Sequence, residues 1–139
     1  MRRTKTIWGR LAMIGTLALL VIRPANAEEG GACRRDAKWE AWLERQAERW
    51  HRRLLAFEGY ERPERFAICL ARRGGPRVDY RRDRIFLRRV DENEDRASLA
   101  HEYLHLAFRN HPVSRDEGFI EGLARRLVLE GDRYEYNPD

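Results

Sequence analysis

The stretch His101-Glu102-Tyr103-Leu104-His105 combines residue types and spacing that could perform chemistry. On a helix, residues four apart lie on one face about one turn from each other, so two imidazoles at this spacing can reach a single divalent cation. The glutamate between them stands beside that cation, where a carboxylate can act as a base. Leu99, Ala100, Leu106 and Ala107 flank the motif without charge, as expected of a helix buried behind a metal. The competing reading is a core helix with two solvent-facing histidines. Against it, three of the four histidines of the chain fall between residues 101 and 111.

This pattern resembles the zincin metallopeptidases, and in particular their gluzincin branch, in which the third zinc ligand is a glutamate on a following helix. That glutamate commonly opens a pattern of the type Glu-Gly-x-Ala. Glu121-Gly122-Leu123-Ala124 matches it, whereas Glu117-Gly118-Phe119-Ile120 matches only its first half. The segment from about Ser98 to Leu127 is also similar to an uncharacterised family of predicted secreted bacterial proteins. The resemblance to zincins covers roughly a quarter of the expected mature chain. It implies zinc held by His101, His105 and Glu121, with Glu102 as catalytic base.

A helical hairpin turning near Pro112-Val113 would place Glu121 level with His105, as far beyond the turn as His105 lies before it. Glu117 shares that face one turn nearer the bend and is the expected supporting partner or substitute. His111, six residues after His105, has the ligand spacing of the metzincin branch. That branch, however, requires glycine where this chain has Phe108, and a methionine turn, and Met1 and Met13 are the only methionines here. The third ligand therefore stays open among Glu121, Glu117 and His111.

Two imidazoles and one carboxylate form a zinc set that leaves a position for water, which suits hydrolysis of a peptide bond. The expected partner is thus a peptide or protein substrate. Tyr134, Tyr136 and His111 are the available donors for a developing oxyanion. The alternatives are a non-catalytic periplasmic binding or assembly protein on a zincin scaffold, and a structural helical protein without metal.

The elements that must position these groups can be read from periodicity. Trp39, Trp42, Leu43, Ala47, Trp50, Leu54 and Phe57 recur at helical spacing, which predicts an amphipathic helix over Asp36 to Phe57 with its tryptophans on the core face and Gly59 at its end. Phe66 to Leu70 is a short apolar strand. Arg77 to Tyr80 and Arg84 to Val90 form a hairpin about Arg81-Arg82-Asp83, with Ile85 and Leu87 on one face. A second helix is expected from about Arg96 to Asn110, closed by Pro112. A third runs from Ser114 or Asp116 to Glu130, with Gly131 as its cap. The expected fold class is α+β: a minimal zincin-like domain with an N-terminal amphipathic helix, a small antiparallel sheet and an antiparallel helix pair carrying the metal site.

The first residues read as a secretory signal peptide over 1–27, leaving a single domain over 28–139. Arg2, Arg3, Lys5 and Arg10 precede an uncharged run from Leu11 to Ile22, and Ala25-Asn26-Ala27 offers a cleavage site. The apolar run is short for a membrane span, so no stable anchor is expected after cleavage. The net charge of +5 resides in Arg2, Arg3, Lys5, Arg10 and Arg23, so the mature chain balances 23 basic against 23 acidic residues. A nucleic-acid partner loses its support with that excess. Export to a periplasmic or extracellular, oxidising space makes a Cys33–Cys69 disulfide the expectation for the two cysteines, with two buried thiols as the alternative.

Overall fold

The computed structural model describes residues 33–88 and 93–135, with only the backbone of Asn93 and of residues 131–135. The expected signal segment and Tyr136 lie outside these residues, as does the side chain of Tyr134. The elements in chain order are β1 (Arg34–Arg35), α1 (Ala37–Leu54), β2 (Ala67–Leu70), β3 (Arg77–Asp79), β4 (Arg84–Leu87), α2 (Asn93–Ala107), a 3-10 turn (Pro112–Arg115) and α3 (Glu117–Glu135). The class is α+β, with three α-helices and a four-stranded sheet among the described residues.

Asp36 starts α1 by accepting a hydrogen bond from the Trp39 amide at 3.2 Å, which satisfies one of the donors a helix start leaves open. From there Trp39, Leu43, Ala47, Trp50 and Leu54 go inward along one stripe. Trp42 sits at the edge of that stripe, half-buried, with its ring edge-on to Trp39 and Trp50. The helix stops at Leu54, three residues before the expected end, and the chain then turns through Gly59 at φ +80°.

The sheet corrects one expectation: it is mixed rather than antiparallel, in the order β1-β2-β4-β3. β2 and β4 run parallel, pairing Ile68 with Ile85 and Cys69 with Phe86. The hairpin of β3 and β4 forms as expected, but β4 turns inward and β3 takes the edge. Side-chain chemistry explains the choice. Ile85, Phe86 and Leu87 are buried on both faces, whereas Arg77 and Asp79 of β3 need solvent. Asp83 ends the hairpin turn with φ 50°, a conformation that aspartate tolerates better than most residues, and its carbonyl accepts the Ala67 amide at 2.9 Å.

At the other edge, β1 pairs antiparallel with β2, and the disulfide Cys33–Cys69 ties them with a Cα separation of 4.9 Å. Glu40, buried on α1, receives both the Arg35 guanidinium at 2.6 and 2.9 Å and the Ile68 amide at 3.0 Å. One carboxylate thus joins α1, β1 and β2. The arginine holds its pKa below the usual carboxylate range, with the Ile68 amide adding to the effect and burial opposing it.

Helix α2 lies at the centre, and every residue from Glu102 to Phe108 is buried. The loop after α1 closes its C-terminal end. The Glu61 amide donates to the Ala107 carbonyl at 2.8 Å, and the Asn110 side chain donates to Glu61 at 2.9 Å. Phe57, Tyr60, Phe108 and Phe119 pack ring against ring at this corner, with centroids 5.8–6.0 Å apart. Asp116 then caps α3 by accepting the Phe119 amide at 3.0 Å. The third helix does not stop at Gly131 but continues to Glu135; glycine weakens a helix interior by about 1 kcal/mol without forbidding it.

Candidate metal centre

His101 and His105 lie on the face of α2 that α3 covers, with ring centroids 4.8 Å apart. Contacts climb from the 3-10 turn into α3 as they descend α2: Ser114 meets His105, Glu117 meets both histidines, and Glu121 meets His101. The two helices are therefore antiparallel across the site.

Each imidazole uses its two nitrogens differently. His105 Nδ1 donates to the Ser114 carbonyl at 2.8 Å, an acceptor with no proton to return. His101 Nδ1 lies 2.9 Å from Glu121 Oε2, a carboxylate that Arg125 also engages. In the neutral rings both protons then sit on Nδ1, and both Nε2 atoms present lone pairs. These Nε2 atoms are 3.0 Å apart, with Glu117 Oε2 at 3.1 Å from His101 and Glu117 Oε1 at 3.5 Å from His105.

Three electron-rich atoms at such separations repel unless a cation, a proton or a metal ion, lies among them. Zinc bonds of about 2.0–2.1 Å would set neighbouring ligands of a tetrahedral ion about 3.3 Å apart, and the three contacts bracket that value. The donor set of two imidazoles and a carboxylate fits zinc. His101, His105 and Glu117 thus form a group able to hold a metal ion.

Glu121, the third ligand expected from the sequence pattern, lies on the opposite nitrogen of His101. There its pKa falls below the ordinary carboxylate value, chiefly through the bond to His101, with burial opposing and Arg125 assisting. Glu117 is the more exposed of the two, its side chain 69% accessible, and faces the Nε2 atoms. His111 is elsewhere. Its Nδ1 accepts the Val113 amide at 3.3 Å, capping the 3-10 turn, and its ring lies over Gly59.

Glu102 is 8% exposed and lines the same cleft as His101, His105 and Glu117, a space of about 510 Å³. Burial drives its pKa from 4.5 up to about 7, with His101 opposing the rise and Glu117 adding to it. The pKa of His105 is lowered, first by burial and then by His101, which keeps its ring neutral near pH 7.

Sequence reasoning missed two groups. The Ser114 carbonyl is a backbone atom and carries no residue signature. Tyr80 lies more than twenty residues before the motif, yet the hairpin brings it to the cleft wall beside His105 and Glu117. Its pKa is raised mainly by burial and further by the charges of Glu102 and Glu117. Arg109 holds it there, donating to the Tyr80 carbonyl at 3.5 Å and pairing with Asp83 at 2.6 Å.

Residues 19–113 match a family described as predicted secreted protein (DUF2300), and the chain belongs to it. That description agrees with export, as the order of basic, apolar and small residues at the start of the chain implies. The chain is also 41% identical over 98 residues to the uncharacterized protein YfaQ of Escherichia coli (strain K12), across 70% of this chain and 18% of that protein. It spans less than a fifth of that relative's length. No solved structure matches. The family match includes His101, Glu102 and His105 and ends before Glu117 and Glu121.

Proposed function

We propose that this protein is an exported zinc-dependent peptidase, with His101 Nε2, His105 Nε2 and a Glu117 oxygen as the ion's ligands and Glu102 as the base. One observation carries the reading: His101 Nε2, His105 Nε2 and the Glu117 carboxylate converge while both Nδ1 atoms are engaged by outer partners. Such outer partners fix the tautomer and orientation of a ligating histidine. Glu121 is assigned that role toward His101, and the Ser114 carbonyl toward His105.

When bound, zinc supplies Lewis acidity to a water molecule and to the peptide carbonyl. The remaining work falls to the chain itself. Glu102, with a pKa near 7, suits accepting a proton from water and returning it to the leaving amine. The buried face of α2 behind it keeps bulk water away on one side. Tyr80, which lines the same cleft, offers a phenol to the developing charge on the carbonyl oxygen.

The test is metal content and hydrolysis together. The mature protein should retain one zinc ion and cleave unstructured polypeptide, and Glu102→Gln should keep the zinc while losing cleavage. Zinc retained by a wild-type protein that cleaves no peptide would favour a binding or assembly protein on the same scaffold, and a protein that retains no zinc would end the peptidase reading.

A further inference from the structure

The groove across the candidate centre is asymmetric in charge. Two clefts, of about 510 and 520 Å³, share Tyr80, His105 and Glu117 as lining residues and so adjoin at His105. On one side the groove continues along Ser98, Glu102 and Glu121; on the other it continues along Arg109, Asn110 and Arg115. Glu117 borders both halves; beyond it one half carries the carboxylates of Glu102 and Glu121, and the other carries guanidinium and amide groups.

The groups on the second side are not equally available. Arg109 is committed to Asp83 and to the carbonyls of Leu106 and Tyr80, so it shapes the wall. The Asn110 amide nitrogen is given to Glu61, which leaves its oxygen as an acceptor. Arg115 is exposed and has no carboxylate partner among the described residues. Its backbone is nevertheless pinned, because hydrogen bonds on either side of it close the 3-10 turn: Ser114 N to His111 O at 3.1 Å and Asp116 N to Val113 O at 3.0 Å. A guanidinium on a fixed backbone presents the planar fork that pairs with a carboxylate through two hydrogen bonds.

We infer that the Arg115 side of the groove is a carboxylate-binding subsite. The peptides this site takes therefore carry a carboxylate, at the chain terminus or on an Asp or Glu side chain, on that side of the bond to be cut. This inference rests on the peptidase reading of the adjacent centre. Glu102 and Glu121 repel a carboxylate from the opposite half, so the same charge pattern also sets the direction in which a peptide lies. Because Ser114, next to Arg115, holds His105 through its carbonyl, the subsite and the candidate metal ligand share one short turn.

Titration calorimetry on the zinc-loaded Glu102→Gln protein tests this, with three acetylated penta-alanine probes: one with a free C-terminus, one amidated, and one amidated with a central glutamate. At least one carboxylate-bearing peptide should bind about tenfold or more tightly than the amidated all-alanine peptide, and which one does identifies the source of the carboxylate. Arg115→Gln should remove that gap, and Arg115→Glu should turn the preference toward an amidated peptide with a central lysine, both with zinc content unchanged. Equal affinities for the three probes, no binding of either carboxylate peptide at millimolar concentration, or a preference that survives Arg115→Gln would overturn the subsite. Wild-type turnover separates this from the underlying reading. Carboxylate-dependent binding without cleavage refutes the peptidase and leaves the subsite, whereas cleavage indifferent to the carboxylate refutes the subsite and leaves the peptidase.

Discussion

Glu121 Oε2 stands 2.9 Å from Nδ1 of His101, while the other nitrogen of that ring meets His105 and Glu117. This places the two glutamates of α3 on opposite nitrogens of one imidazole, and their substitutions should differ accordingly. Replacing Glu117 by alanine removes a donor facing both Nε2 atoms and should weaken zinc binding by well over a hundredfold. Replacing Glu121 should cost about 10- to 100-fold, the usual effect of losing an outer partner. Competition titration against a chelator of known affinity measures both; a larger loss for Glu121→Ala would reverse the assignment.

The Glu40 carboxylate should make stability depend on pH. Its folded pKa lies below the unfolded value because Arg35 and the Ile68 amide favour the ionised form. The stabilisation is therefore complete above the unfolded pKa of about 4.5 and is lost as pH falls through the folded pKa. Urea midpoints should decline with acid in the wild type and decline less in Glu40→Gln. At pH 7 that variant should be less stable by about 1–3 kcal/mol, since a buried carboxylate with three donors is replaced by an amide. A variant with the same acid dependence as the wild type would remove Glu40 from this role.

Gly59 occupies φ +80°, and a Cβ there would overlap the His111 ring. Both the backbone and the space require glycine. Gly59→Ala should destabilise by about 2 kcal/mol or more, adding left-handed strain to a displaced histidine. Because His111 caps the turn that carries Ser114, zinc affinity should fall as well, although Gly59 touches no ligand. A thermal melt and a zinc titration on the same variant check the two effects, and an unchanged melting temperature would contradict the geometry.

Breaking the Cys33–Cys69 bond frees a loop with a sequence separation of 36. The chain-entropy argument gives a loss of about 4 kcal/mol. The double variant Cys33→Ser/Cys69→Ser should show this in denaturant unfolding without altering the hydrogen bonds around His101. A protein indifferent to reduction would show that the pairing of β1 with β2 and the Arg35–Glu40 contact hold β1 without the disulfide.

The residues of chemistry were legible because their spacing is local. Four residues on a helix bring His101 and His105 to one side whatever surrounds them, and the apolar flanks announce burial. The stripe from Trp39 to Leu54, the hairpin about residues 81–83 and the α+β class are likewise short-range patterns. The disulfide followed from counting two cysteines in an exported chain. What local pattern could not decide was rotation and order. Glu117 and Glu121 lie one turn apart on the same helix, and Glu-Gly-x-Ala favours the second, but only the packing of α3 against α2 determines which carboxylate meets Nε2 and which meets Nδ1. Strand order was equally hidden. The parallel pairing of β2 with β4 depends on which strand can be buried on both faces, a property of the assembled sheet. Tyr80 and Arg115 belong to the groove because tertiary contacts bring a hairpin and a turn to the cleft beside His105. Periodicity along the chain already places His101 and His105 on one face, whereas the groups they meet are set by packing between segments distant in sequence.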